Sequence, residues 1–235
     1  MERGLLERQL AMKDPQSPSW VSMVQSLLTD YNLPSMLDIL HDPPEKISWS
    51  RRTTKAIRSI WESKLKEEAR SMSSLQYMVV DHCRLGQTHR VWKLEGLSSL
   101  EVSRATVKAK LLVGRYPLRS SRVAGKNYNQ KCPLCEHPSE TTEHFLLFCL
   151  ALSEERDSIL EEIHAITNNH YLTSNPRHLT QLLLDSSDTV NCDVMADRIE
   201  VLARKMCFKL HHRRSMLTGY GSQYVRVSRR GATRL

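Results

Sequence analysis

Residues Lys131 to Cys149 place three thiols and an imidazole close together in the chain. Their order is Cys-x2-Cys-x8-His-x4-Cys, with Cys132, Cys135, His144 and Cys149 as the four members. A Cys-x2-Cys turn can present both sulfurs to one ion, and the next eight residues are enough to fold the chain back over it. Thiolates and imidazole at this spacing are the ligands of closed, tetrahedral zinc sites. The sequence therefore predicts a structural Cys₃His zinc site.

The second half of this predicted site leaves its local geometry open. A step of five residues turns about 140° beyond a full revolution of an α-helix, so His144 and Cys149 cannot share one ideal helix face. Either His144 lies just before a helix whose first turn carries Cys149, or that helix begins with a distorted turn. His137 is the alternative ligand, but the turn would have to bend sharply to present it, so we prefer His144.

The cysteines also allow interpretations without a metal. Cys149 lies among apolar residues, as a buried thiol would, but this leaves Cys132 and Cys135 unexplained. A thioredoxin-like redox pair would explain those two, yet no βαβ pattern surrounds them. Cys192 and Cys207 are isolated in the sequence, and we expect both to be core thiols.

The composition indicates a folded, intracellular protein. The chain has 235 residues, of which 40% are hydrophobic, and this is enough to build a core. Six cysteines and a first ten residues without a hydrophobic leader predict an intracellular location, nuclear or cytoplasmic. No apolar run approaches the roughly eighteen residues of a membrane helix, so we expect no membrane partner.

The net charge of +8 is unevenly distributed along the chain. Residues 103–131 contain eight basic and no acidic side chains, residues 132–200 contain three and thirteen, and residues 201–235 contain nine and none. Such blocks indicate either polyanion partners or neutralisation within the chain. We predict that the first basic block binds RNA or DNA, with Tyr116 and Tyr128 available to stack on bases. Its cations are Arg104, Lys108, Lys110, Arg115, Arg119, Arg122, Lys126 and Lys131.

Apolar periodicity predicts a mainly α fold, a helical domain stapled by one Cys₃His zinc knuckle, with at most a short β-hairpin. The hairpin would lie near Tyr77 to Trp92, and residues 75–83 form its most extended stretch. Three domain segments follow from the breaks in the pattern. They are an N-terminal helical segment with a Pro-rich linker (1–45), a helical domain that contains the zinc knuckle at 132–149 (46–215), and a disordered basic tail (216–235).

Several helix ends carry local signals. Ser98 or Ser99 can cap a helix that stops near Gly114, and Asn175 begins another. Ser48 or Ser50 is predicted to cap a helix over residues 53–71. The many cations of that helix are partly offset by glutamates, so we interpret them as a solvated face.

The segment ATVKAKLLVGRYPLRSSR, followed by CPLCEHPSETTEHFLLFC, resembles the zinc-binding C-terminal region of non-LTR (LINE-like) retrotransposon reverse transcriptases. The stretch GQTHRVWK before the helix is similar to the same family, and the resemblance covers much of the chain. It implies that Cys132, Cys135, His144 and Cys149 are the metal ligands. It also implies a region that helps a polymerase to hold template RNA or target DNA.

The catalytic parts of such a polymerase are not found in the sequence. There is no Asp-Asp pair after an aromatic residue to hold two metal ions, and no endonuclease-like cluster of acidic residues and histidines. We therefore predict a non-enzymatic module that binds zinc and nucleic acid. The alternative is a zinc-stapled structural or protein-interaction domain, a degenerate retrotransposon fragment without nucleic-acid binding.

Overall fold

The computed structural model describes residues 4, 7, 8, 20–94, 96, 98–120, 129–168, 174–188, 190 and 192–219. These residues form helices, turns and connecting segments, and they contain no β-strand, so the prediction of a mainly helical fold is confirmed. The chain divides into two compact units, Met1–Glu68 and Ala69–Leu235. This division falls later than the predicted boundary at residue 45. Of the predicted disordered tail at 216–235, Met216 and Leu217 belong to the last helix instead, and residues 220–235 lie outside the described residues.

The first unit is built around a small apolar cluster. Its helices are α1 (Trp20–Asp30), α2 (Met36–His41) and the beginning of α3 (Lys46–Ser71). Val21, Leu28 and Met36 are buried, and Trp49 of α3 packs against them. Helix α2 begins at a capping box, in which the Ser35 hydroxyl accepts from the Asp38 N–H at 3.2 Å and the Asp38 carboxylate accepts in return.

Helix α3 begins earlier than predicted. It starts at Lys46 rather than Thr53, so Ser48 and Ser50 lie within the helix and do not cap it. Pro43 and Pro44 break the preceding chain, but no helix breaker follows them, and the helix extends back to this break. None of the residues of α3, all of which are described, is buried.

The second unit contains the large core. Its helices are α4 (Ser99–Leu112), α5 (Ser153–Thr167), α6 (Pro176–Leu184) and α7 (Asp193–Leu217). Helix α7 packs against both α4 and α5, and α6 contacts α4 and α7. The buried side chains include Leu111, Phe145, Ile163, Leu183 and Met206. This core surrounds and supports the segment that carries the cysteines.

The local signals at the ends of α4 and α6 are confirmed. The Ser98 hydroxyl accepts from the Glu101 N–H at 3.2 Å, and the Asn175 side chain accepts from the Arg177 N–H at 2.9 Å. Helix α4 stops before Gly114, whose φ is +64°. A Cβ at this glycine would lie 2.8 Å from the Ser74 carbonyl oxygen, so both its conformation and its close approach require glycine.

The expected extended stretch at residues 75–83 is wrong. Single turns of 3₁₀-helix occur at Ser73–Leu75, Val80–His82 and Arg90–Trp92 instead. The reason is tertiary, because the Tyr77 hydroxyl donates to Glu143 at 2.9 Å and the Val79 N–H donates to the buried Asp185 at 2.8 Å. This segment is therefore bound to side chains of later segments rather than to a neighbouring strand.

Among the isolated cysteines, Cys207 is buried in the core as expected, but Cys192 is exposed. Cys192 directly precedes α7, where the chain enters the helix from the surface. The apolar character of a cysteine side chain alone was therefore not sufficient to predict that Cys192 is buried. Among the described helices, none combines the length and the hydropathy that a membrane-spanning segment needs.

Candidate metal centre

The four predicted ligands meet at one point in the fold. One ligand atom from each of Cys132, Cys135, His144 and Cys149 lies within 4.8 Å of all the others. The Cys149 sulfur is 3.9 Å from that of Cys132 and 3.8 Å from that of Cys135. These distances are far longer than the roughly 2.05 Å of a disulfide, so the thiols are free. The group could therefore bind a metal ion.

The first two ligands are positioned by a tight knuckle turn. The Cys132 N–H donates to the His137 carbonyl at 2.8 Å, the Glu136 N–H donates to the Cys132 carbonyl at 3.0 Å, and Glu136 takes a φ of +58°. Burial raises the pKa of the Cys132 thiol, although hydrogen bonds from the Leu134 and Cys135 backbone N–H groups oppose that rise. The turn thus already supplies two donors that would stabilise a thiolate.

The third and fourth ligands are separated by a π-helical turn, His144–Phe148. The Cys149 N–H donates to the His144 carbonyl at 2.8 Å, a hydrogen bond that spans five residues instead of the four of an α-helix. The wider turn brings the two side chains to the same point, which an ideal α-helix could not do. Of the two alternatives, the structure has the distorted turn. The Thr141 hydroxyl accepts from the His144 N–H at 3.0 Å and fixes its start.

The structure selects His144 rather than His137 for this group. The His144 Nε2 lies 3.2 Å from the Cys135 sulfur, whereas His137 is exposed and its Nδ1 lies 3.0 Å from the Ser139 carbonyl. The two rings stack with centroids 4.4 Å apart. Burial, and then the neighbouring His137, lower the pKa of His144, and the neutral imidazole is the form that binds metals. Within the described part of the chain, the buried His144 Nδ1 has no hydrogen-bond partner.

The surroundings of Cys149 combine apolar and cationic contacts. Burial, and then the adjacent thiols, raise the pKa of Cys149 to about 12. The buried Arg156 guanidinium donates to the Cys149 carbonyl at 3.2 Å and to the Asp157 carboxylate at 3.0 Å. Three thiolates and one divalent ion carry a net charge of −1, so Arg156 would offset that charge. Sequence reasoning missed Arg156, because no spacing relates it to the ligands.

A second, partly buried cation joins the knuckle segment to the end of α7. The Arg214 guanidinium donates to both carboxylate oxygens of Glu140 at 2.8 and 3.0 Å, and it lies over the Tyr116 ring at 5.9 Å. The Arg119 N–H also donates to Glu140 at 2.9 Å. The Tyr116 hydroxyl lies 2.8 Å from the Nδ1 of His211. No local pattern in the sequence indicates this pairing, because its partners are far apart in the chain.

Two of the cations predicted to bind nucleic acid have partners within the fold. Lys108 is fully buried and pairs with Glu200, which is also buried, so it cannot reach a phosphate and is removed from the predicted set. Arg104 is half-buried and pairs with Glu101. Tyr116 is buried against Phe145 with ring centroids 5.2 Å apart, so its predicted stacking on bases is also wrong.

The other cations of the first basic block differ from Lys108 and Arg104 in their exposure and ion pairing. Lys110, Arg115 and Lys131 are exposed, and Arg119 is half-buried. In the described part of the chain, none of the ion pairs involves these four side chains. The remaining predicted residues, Arg122, Lys126 and Tyr128, lie outside the described residues.

Comparison with known proteins gives no assignment: no family model, no curated protein and no solved structure matches this chain.

Proposed function

We propose that this chain is a non-catalytic, zinc-stapled module that binds nucleic acid beside its Cys₃His site. The observation that carries the proposal is the convergence of the four ligand atoms within 4.8 Å, next to a segment of exposed cations. The resemblance to the C-terminal region of non-LTR reverse transcriptases supports the same function. The chain would then bind RNA or DNA as such a region does, without the catalytic parts of the polymerase.

The geometry of the sulfurs supports zinc as the ion. A Zn–S bond of about 2.3 Å and tetrahedral angles place two ligating sulfurs about 3.8 Å apart. The two sulfur pairs measured at Cys149 are separated by 3.8 and 3.9 Å. Three soft thiolates and one imidazole also favour zinc over magnesium or calcium, which prefer oxygen ligands. All four positions are filled by protein, so the site would be structural and would leave no place for a reacting water.

The charge pattern beside the knuckle supports nucleic acid as the partner. Lys131 adjoins Cys132 in the chain, and Arg119 is held against the knuckle segment through its N–H bond to Glu140. Lys110 in the last turn of α4 and Arg115, three residues after that helix, are also exposed. Cations that lack a carboxylate partner are available to phosphates, and phosphate contacts supply most of the non-specific affinity for nucleic acids.

The test is binding to fluorescent single- and double-stranded RNA and DNA across a salt series. The basic-loop variant replaces Arg115, Arg119, Arg122 and Lys126 with Gln, and a control variant replaces Lys64, Lys66, Arg70 and Arg84 with Gln for the same loss of charge. We expect the basic-loop variant to retain metal and melting temperature. Its salt slope should fall by about 0.7 on single strands, or about 0.9 on duplex, for each phosphate that the variant no longer neutralises. Equal behaviour of the two variants would reject this binding surface.

A specific observation favours a second candidate, a structural or protein-interaction domain without nucleic-acid binding. Cations of both basic blocks pair with the acidic segment of the same chain, as Lys108 does with Glu200 and Arg214 with Glu140. Part of the basic charge therefore serves the fold itself. If the parent protein binds nucleic acid no better than an unrelated protein of equal charge, this second function replaces the first.

A further inference from the structure

The two halves of helix α3 carry different charge patterns. Residues 46–61 contain five basic and no acidic side chains, whereas residues 62–71 contain three of each. Mixed signs three and four residues apart are typical of a solvated helix surface, and the second half has this pattern. The first half does not, and like charges at that spacing destabilise a helix. Its cations therefore need an explanation other than support of α3.

Three of these cations share one face of the helix. Arg51, Lys55 and Arg58 are separated by four and then three residues, which places them within an arc of about 60°. All three are exposed. We call this set the cationic face. Together with the side chains of Ser50, Thr54 and Ser59, it surrounds a shallow depression of about 480 Å³, and Glu62 lies at one end.

The cationic face lies opposite the side of α3 that faces the apolar cluster. Trp49, Ala56 and Ile60 are partly buried and lie on the far side of the helix, about 140° to 180° around the axis from Arg51. Trp49 packs against the apolar cluster of the first unit. The residues of the cationic face therefore take no part in burying the apolar cluster.

The cationic face also differs in its ion pairing from Lys108 and Arg214. None of the ion pairs within the described ranges involves Arg51, Lys55 or Arg58. Lys108 and Arg214 in the second unit show the opposite behaviour, since each pairs with a buried glutamate. The charges of the cationic face are therefore available to an anionic partner from outside the chain.

We propose that the cationic face of α3 binds the phosphate backbone of a nucleic acid. This is a second surface, in the other compact unit, and it shares with the proposed function only the class of partner. From Arg51 to Arg58 the helix rises about 10 Å. Over that length one strand of a duplex presents about three phosphates, at about 3.4 Å each. The number of cations thus matches the number of phosphates over that axial length, and the neighbouring hydroxyls can donate to phosphate oxygens.

The experiment compares two triple variants of the full chain. The cationic-face variant carries Arg51→Gln, Lys55→Gln and Arg58→Gln. The control carries Lys64→Gln, Lys66→Gln and Arg70→Gln, which removes the same charge from the mixed half of the same helix. Affinity for a short fluorescent duplex and its single strands is measured from low to high salt. The cationic-face variant should lower the salt slope by about 2.7 for duplex and about 2.1 for single strands, and the control should lower the duplex slope by less than about 0.9.

A third variant keeps the charge and tests for unfolding. Arg51→Lys with Arg58→Lys should retain the parent's salt slope, and all variants should show the parent's circular dichroism. If the cationic-face variant loses helicity, the three single variants Arg51→Gln, Lys55→Gln and Arg58→Gln decide. A fall of about 0.9 in the duplex slope of each, with helicity retained, supports the proposal, and unchanged slopes in all three overturn it.

Other outcomes separate this inference from the proposed function. If the basic-loop variant binds as the parent does while the cationic-face variant loses affinity, the loop surface is rejected and α3 is retained. The reverse result rejects α3 alone. Equal losses in the cationic-face and control variants would show an effect of net charge only and overturn the inference. Reduced binding to phosphatidylserine vesicles, with unchanged affinity for nucleic acid, would assign the face to a lipid surface and overturn it as well.

Discussion

The knuckle and the cluster of Lys108, Glu200 and Arg204 both bury ionisable groups, but they neutralise them differently. In the ion cluster, Lys108 pairs with one carboxylate oxygen of Glu200, and the Arg204 Nε lies 3.8 Å from the other. Each charge therefore meets an opposite charge supplied by the chain. In the knuckle, three thiols and an imidazole converge on one point. The chain supplies both signs of charge in the first site, whereas the second has only ligand groups, which could bind an added cation.

The same contrast appears in the protonation of the groups. Burial raises the pKa of Cys149 to about 12 and also raises that of Cys132, so without a cation these thiols remain protonated. A bound metal must displace those protons, and its attraction to thiolates must exceed the cost of removing them. We therefore expect metal removal to destabilise the second unit much more than loss of any one ion pair.

The largest expected effect is that of metal removal. The purified protein should contain one zinc per chain, and a strong chelator should abolish much of its helical circular dichroism and its cooperative melting. Structural zinc sites contribute apparent binding energies of about 10–16 kcal/mol in small peptides, which exceeds the stability of most domains. Zinc content is measured by atomic absorption before and after chelation. If the metal-free protein has the same melting curve as the zinc-loaded protein, the metal site does not stabilise the fold more than the ion cluster does.

The choice of histidine gives the next largest effect. His144→Ala should lose zinc and melt at a lower temperature, because it removes a ligand atom from the group. His137→Ala is the matched control, since it removes only the stacked ring and the contact with Ser139. It should retain one zinc per chain. Retention of zinc by His144→Ala and its loss by His137→Ala would move the site to the exposed ring.

The ion cluster should show a smaller loss. Glu200→Gln leaves the buried Lys108 without its counter-ion, and the expected cost is about 3–5 kcal/mol of unfolding free energy, measured by urea denaturation. Replacing both Lys108 and Glu200 with Met leaves only Arg204 without its carboxylate, whereas the single change leaves two buried cations unpaired, so the double variant should cost less. Zinc content should remain that of the parent in both proteins. A larger loss in the double variant would mean that the pair itself stabilises the core.

The smallest effect concerns the beginning of α4. Ser98→Ala removes the hydroxyl that accepts from the Glu101 N–H and should cost about 1 kcal/mol. Ser99→Ala is the control, because Ser99 is the first residue of the helix and its side chain does not cap it. It should leave the urea midpoint nearly unchanged. Equal losses in the two variants would show that the cap does not stabilise α4.

These cases show which features the sequence could predict. The cap at Ser98, the cap at Asn175 and the spacing of the four ligands depend on residues a few positions apart, so local patterns were sufficient. Lys108 was misassigned because its counter-ion, Glu200, lies 92 residues later in the chain. Arg156 and the pairing of Arg214 with Glu140 were missed for a related reason, since no spacing connects them to the ligands. Contacts between distant segments leave no periodicity that a single sequence can reveal.

The turn between His144 and Cys149 has a further consequence, for how this protein can vary. Its five-residue hydrogen bond means that the segment contains one residue more than an α-helical turn would hold. Deletion of a single residue there, even the exposed Phe148, would keep all four ligands in the sequence and still move Cys149 away from the other three. Substitution at that exposed position would be far less disruptive. In this part of the molecule the length of the chain is therefore a stricter constraint than the identity of its exposed side chain.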